Sequence, residues 1–354
     1  MNKLSRYNYV DVLRVTSSIA VIAIHVIMYY IGAFKVHSTP WTVLMSSKAI
    51  TQFAVPIFFM VSGATIFSST REESYGSFIK RRLTKICIPF FVYSVLYYLF
   101  YVFVKKEFEL GVMEFLKKFC RNNIQGHFWY LYALIPLYFL YPAIKKWVQT
   151  LSKKGLLSVI ITLFMLDSFF PLLNKLFALF SSDFRFSVFS FGKLGVYLNY
   201  TLIGYFIHTY IPANKKNGFI AALLGSASLF SMIALTYRTS VNSFDQQWID
   251  ILLAFVVVQS ASVMLLTKCI YEKKEFKPFA QKTLSTLGML SFSAYLVHML
   301  VLRTVQLNVT KIFIKTLPVT HAAGVIFAIF AASVVVCYLW AYIVSKIPVI
   351  KKIL

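Results

Sequence analysis

The stretch VDVLRVTSSIAVIAIHVIMYY, residues 10–30, decides the fold. It holds about the 20 mostly apolar residues that an α-helix needs to cross a bilayer. Asp11 and Arg14 lie at one end, and a single imidazole, His25, lies in the far half. The apolar part of a cleavable leader is shorter and ends at small residues. This run continues past that length without such a site, so it is expected to remain in the chain as a membrane span.

Nine more runs follow the same rule: 49–68, 87–104, 127–144, 156–172, 188–207, 218–236, 249–267, 287–302 and 321–345. The expected fold is therefore all-α, a polytopic transmembrane helix bundle of about ten spans, with residues 1–354 forming a single integral membrane domain. Composition agrees. The 354 residues are 59% hydrophobic and 14% charged, against roughly 25% charged in a soluble domain. The spans 188–207 and 287–302 are the most polar, with Lys193, Asn199, Ser291, Ser293 and His298. Polar spans turn inward, so both are expected to line a site.

The net charge of +24 does not point to nucleic acid, because Lys and Arg occur in short clusters between apolar runs. Such clusters set topology and meet anionic headgroups or phosphates. The loops alternate in Lys and Arg content, which places both termini in the cytoplasm and the chain in the cell (cytoplasmic) membrane as a multi-pass protein. The loop 105–126 runs against that bias with Lys105, Lys106, Lys117, Lys118 and Arg121, and is expected to be an amphipathic segment on the outer surface. Cys87, Cys120, Cys269 and Cys337 are widely scattered; they show neither metal-ligand nor disulfide spacing and are expected to be small buried apolar groups. No internal repeat of the kind many transporters carry is present.

Several polar residues need a reason to be where they are. Eleven residues of α-helix turn through about 1100°, so Arg14 and His25 share a face roughly 16 Å apart. Asp11 is within ion-pair range of Arg14. These positions fit a snorkelling arginine and a structural histidine, or a lined site. Pro56 can kink the second span, and Ser62-Gly63 admits a closely packed helix or a ligand. Lys80, Arg81, Arg82 and Lys85 are either an ordinary inner anchor or a phosphate grip. Trp129 and Tyr130 fit an aromatic belt or a sugar-stacking surface. His25, His127 and His298 are expected at similar depth in the outer half of the bundle.

Taken in order, Arg14-x10-His25, Phe58-Phe59-x-x-Ser62-Gly63, Arg82-x-x-Lys85-Ile86-x-x-Pro89, His127-x-Trp129-Tyr130 and Ser293-x-Tyr295-x-x-His298 resemble the membrane acyltransferase 3 family. The likeness runs from about residue 8 to about 345, and is greatest to the branch containing the O-acetyltransferase of enterobacterial common antigen. It implies transfer of an acyl group, usually acetyl, from cytosolic acyl-CoA to a hydroxyl of a surface glycan or glycolipid. His25 then matches the catalytic histidine and Arg14 its paired arginine, while Arg82 matches the first basic residue of the coenzyme A loop. The second, usually arginine, is Lys85 here, which keeps charge but loses the paired grip. The glutamate that some branches carry after the tryptophan of the fourth span is missing, and there is no room for an added esterase-like domain.

The resulting expectation has His25 and Arg14 catalytic, with Arg81, Arg82 and Lys85 on the donor. His127, Trp129, Tyr130, His298 and Ser62 serve the acceptor or support the site. His25 acts as a neutral general base or carries the acyl group transiently. Acetyl-CoA is a substrate, no cofactor or metal is permanently bound, and the remaining partners are the acceptor, the lipid bilayer and, in one arrangement, a second copy of the chain. The competing readings are an exporter or flippase of a lipid-linked glycan, a relative using another acyl group or an amino acceptor, and an anchor module without chemistry.

Overall fold

In hydrocarbon a chain can satisfy its backbone N–H and C=O groups only internally. The computed structural model describes residues 8–180 and 183–347, and its regular structure is entirely helical. In chain order the helices are α1 (Asn8–Tyr30), α2 (Thr39–Thr51), α3 (Ala54–Ile66), α4 (Tyr75–Phe103), α5 (Val112–Cys120), α6 (Trp129–Thr150), α7 (Lys153–Phe164), α8 (Phe170–Leu179), α9 (Gly192–Tyr210), α10 (Lys215–Thr239), α11 (Ala254–Tyr271), α12 (Pro278–Asn308), α13 (Lys311–Thr316) and α14 (Val319–Ser345).

Eight helical stretches among the described residues are long and apolar enough to cross a membrane, where the sequence suggested about ten. These are α1, α2 with α3, α4, α7 with α8, α10, α11, α12 and α14. The expected spans 127–144 and 188–207 are present as α6 and α9 but are less apolar. Pro136, Pro142, Lys145 and Lys146 interrupt α6; Lys193, Asn199, Thr201 and four tyrosines dilute α9. Both turn much of this polarity toward protein, burying Tyr130, Tyr138 and Tyr141 on α6 and Tyr197, Asn199, Tyr200 and Thr201 on α9.

Several boundaries also differ from expectation. Helix α4 begins at Tyr75, well before residue 87, because the Ser74 hydroxyl caps it by accepting from Ser77 N at 3.3 Å. Helix α12 runs from 278 to 308, not 287 to 302, opening on Pro278. The segment 31–48, between the first two expected spans, is mostly α2. A break at Gln52–Phe53 separates α2 from α3, four residues before Pro56, whose ring supplies no N–H to the Gln52 carbonyl and crowds it. The loop 105–126 does form an amphipathic helix, α5, which buries Phe115 and exposes Lys117. Of the four cysteines, all unpaired, Cys337 is buried as expected, but Cys120 at the end of α5 is exposed.

Helix α1 sits at the centre, packed on α2, α3, α11, α12 and α14. Helices α10 and α14 lie outside and turn Phe219, Phe230 and Phe327 outward. The α3–α9 crossing depends on two glycines. A β-carbon on Gly63 would sit 1.9 Å from the Thr201 carbonyl oxygen, and one on Gly204 would sit 2.0 Å from that of Met60. Small residues let these helices touch backbone to backbone, the packing anticipated at Ser62-Gly63.

Charged side chains hold α9 at both ends. A π-helical turn over Met165–Phe169 brings Asp167 to its start. There Asp167 Oδ1 accepts from Phe191 N at 2.7 Å, Gly192 N at 3.2 Å and the Ser190 hydroxyl at 2.7 Å. At the other end Lys268 Nζ donates to the carbonyls of Ile207, His208 and Ile211 at 2.9, 2.8 and 2.7 Å. The acid meets the positive end of the helix and the base its negative end.

Candidate active site

Three helical regions deliver one imidazole each to a common point. His25 comes from α1, His298 from α12, and His127 from a short 3-10 turn, Gly126–Phe128, ahead of α6. Ring centroids are 5.0 Å apart for His25 and His298, 4.6 Å for His127 and His298, and 6.3 Å for His25 and His127. The shared depth expected from the sequence is thus direct proximity. Tyr295 organises two of the three: its hydroxyl donates to the His127 carbonyl at 2.6 Å, and its own carbonyl is bonded to His298 Nδ1. Nε2 of His298 has no hydrogen-bond partner.

On one side of Tyr295 lies a cavity of about 450 Å³, lined by Arg14, Ser62, Arg82, Lys85, Tyr130, Ser291 and Tyr295 among others. Arg14 Nη1 donates to Asp11 Oδ1 at 3.3 Å. The Ser62 hydroxyl donates back to the Phe58 carbonyl at 2.8 Å. A second cavity of about 390 Å³ carries Arg71, Arg81, Arg82, Lys145 and Lys146, with Glu72 and Glu73 opposing them. Arg82 belongs to both cavities. Lys145 Nζ donates to the Ser69 carbonyl at 2.6 Å, and Gln149 Nε2 to that of Phe67 at 3.1 Å. These bonds pin the end of α6 to the segment that leads into α4.

The expected residues therefore fall into three groups. Arg14, Arg82, Lys85, Ser62 and Tyr130 share the cavity beside Tyr295, with Arg81 at the basic one. His25, His127 and His298 form the second group. The Tyr295 ring stands between them, 5.3 Å from His127 and 5.7 Å from His298. Arg14 lines the cavity, whereas His25, on the same helix, packs against the other imidazoles. Trp129 stacks obliquely on Tyr197 at 5.8 Å, apart from the histidines. Nothing in the sequence singled out Lys145 and Lys146, which lie just past the expected span 127–144, or Tyr295 as a wall beside the imidazoles. Among the described residues, no three His, Cys, Asp or Glu side chains converge closely enough to chelate an ion.

This arrangement sets an anion-attracting mouth beside a second polar cavity and close to a cluster of imidazoles, a set of parts suited to acyl transfer between a phosphate-bearing donor and a hydroxyl. The chain matches the acyltransferase 3 family model, an acyltransferase domain, over residues 7–341. The chain belongs to that family. This acyltransferase is accordingly a membrane-bound, multi-pass enzyme, and acyl donor and acceptor are the substrates its family membership implies. No curated protein and no solved structure matches the chain.

Proposed function

We propose that this acyltransferase moves an acetyl group from cytosolic acetyl-CoA to a hydroxyl of a cell-surface carbohydrate or its lipid-linked precursor. The observation that carries the reading is Arg82, the one side chain common to the basic mouth and the cavity beside Tyr295. Coenzyme A has the same two-part build, a cluster of phosphates joined to a thin thioester arm. Its nucleotide end rests on Arg82, Lys145 and Lys146, with Arg81 and Lys85 to either side. The arm runs past Arg14 and Ser62 to Tyr295, which turns aside to admit the thioester to the histidines.

There the acceptor hydroxyl gives its proton to neutral His25 while its oxygen bonds to the thioester carbonyl carbon. The C–S bond breaks, and the thiolate takes a proton as free coenzyme A leaves. His127 and His298 form the acceptor side, while Tyr130 supports Tyr295 from the donor cavity. In this reading α6 and α9 also cross the bilayer, making ten crossings with the basic mouth and both termini in the cytoplasm.

Labelled acetyl-CoA supplied at the cytoplasmic face of inverted membrane vesicles tests the proposal. Label appears on glycan in the lumen with wild type and is lost with His25→Ala, checked for folding by size-exclusion chromatography. Label retained by a folded His25→Ala overturns the role of His25. Passage of unlabelled glycan without acetylation favours an exporter.

A further inference from the structure

The three histidines are not equivalent. His298 Nδ1 is bonded to the Tyr295 carbonyl one turn earlier on α12. A carbonyl oxygen only accepts, so Nδ1 carries the ring proton and Nε2 of the neutral ring is a bare lone pair. That Nε2 is buried without a partner, on a side chain with no exposed surface. The ring that carries it lies 5.0 Å, centroid to centroid, from the ring of His25. His25 has no tether of this kind: no hydrogen bond to its ring is made by the described residues, so it is free to accept on one nitrogen and donate from the other.

We propose that His298 is the terminal proton acceptor of a two-histidine relay, which rests on the reading of His25 as the base that meets the acceptor hydroxyl. As the hydroxyl oxygen bonds to the thioester carbonyl carbon, its proton passes to one nitrogen of His25. The proton on the other nitrogen of His25 crosses to Nε2 of His298. His25 stays neutral, and the positive charge rests one ring farther from the reacting carbon. When the tetrahedral intermediate collapses and the C–S bond breaks, the thiolate recovers the proton along the same route. All the imidazoles finish neutral, and the sum is ester plus free thiol. Tyr295 is a positioning residue, because its carbonyl fixes which nitrogen of His298 is open and its hydroxyl anchors the His127 backbone.

The test is His298→Asn in the full-length protein, with acetyl-CoA and the glycan acceptor. The asparagine amide N–H replaces Nδ1–H against the Tyr295 carbonyl but leaves no base where Nε2 was. A kcat lowered about 10²–10⁴-fold is expected, the usual scale of one acid–base group. The KM for acetyl-CoA stays within about threefold, since donor binding is not touched. Solvent-isotope proton inventories fall from two protons in flight to one, and added imidazole restores part of kcat. A kcat near that of wild type, or an unchanged two-proton inventory, overturns the relay. If His298→Asn does not fold, His298→Gln is measured in the same way, with the same expected results. Transfer that dies in His25→Ala but survives in His298→Asn removes the relay alone, whereas transfer that survives in His25→Ala removes the reading beneath it.

Discussion

Glu73 holds Arg81 with both carboxylate oxygens at the edge of the basic mouth. Arg81 Nε donates to Oε2 at 3.1 Å and Nη2 donates to Oε1, while Arg71 Nε stands 3.8 Å from Oε2. The hydrogen bond from Arg81 keeps the Glu73 carboxyl below its ordinary value, although partial burial pulls the other way. The planar fork best shaped to clasp a phosphate is thus already filled by a carboxylate.

Removing that carboxylate should help the donor. Glu73→Gln is expected to lower the KM for acetyl-CoA several-fold, with kcat little changed, in steady-state assays. The sign of the pH effect follows from the lowered pKa. The pair is intact above the ordinary carboxylate range and is lost only as pH falls through the lowered value. The ratio of KM between wild type and Glu73→Gln should therefore be constant from about pH 6 to 9. A ratio that changes across that interval would show that another group controls donor entry.

Lys145 and Lys146 face the same mouth from α6. Lys146→Ala is expected to raise the KM for acetyl-CoA up to about tenfold, the equivalent of 1.4 kcal/mol. A short acetyl-pantetheine donor without the nucleotide should show no such change. Competition by coenzyme A and by pantetheine, measured side by side, separates a nucleotide contact from a general loss of fold.

The α3–α9 crossing leaves no space for a methyl group. Gly204→Ala would press a β-carbon into the Met60 carbonyl, backbone against backbone, and is expected to destabilise by at least about 1–3 kcal/mol. Gly324→Ala on α14, where an added β-carbon meets nothing within 4 Å, is the control and should gain up to about 1 kcal/mol from helix propensity. Thermal unfolding in detergent reads both.

The two ends of α9 should prove equally sensitive. Asp167→Ala and Lys268→Met each remove a charged hydrogen-bonding cap, and each is expected to cost about 1.5–3 kcal/mol or more. Hydrogen exchange should quicken at residues 192–195 in the first variant and at 207–211 in the second. Protection unchanged at those amides would show that packing alone holds the helix.

The spans were legible wherever lipid was the solvent, because a lipid-facing helix has to be apolar along its length. They were hardest to read at α6 and α9, whose tyrosines, Asn199 and Lys145 answer to neighbouring helices. The histidine cluster was legible in part, since depth follows from counting residues along each span. The Tyr295 wall was not, because rotation about the α12 axis leaves no trace in spacing alone. Nor did local pattern announce Asp167 and Lys268. One reads as a stray acid within an apolar run and the other as an anchor at the end of a span, and the α9 groups they cap lie 23 or more residues away. Glu73 escaped for the opposite reason. It is near Arg81 in sequence, but the turn that brings the two together is set by the Ser74 cap.

Tyr295 also bears on the electrical life of the membrane. A protein that passes chemistry from one side of a bilayer to the other risks discharging the ion gradients across it. Here the polar cavity closes on an aromatic ring backed by Phe58 at 6.4 Å and Tyr130 at 5.8 Å. A hydrated ion would have to shed its water to pass this plug, whereas a slender thioester arm needs only to push a ring aside. On the proposed route, the same tyrosine that orients the imidazoles lets a group cross while the membrane keeps its voltage.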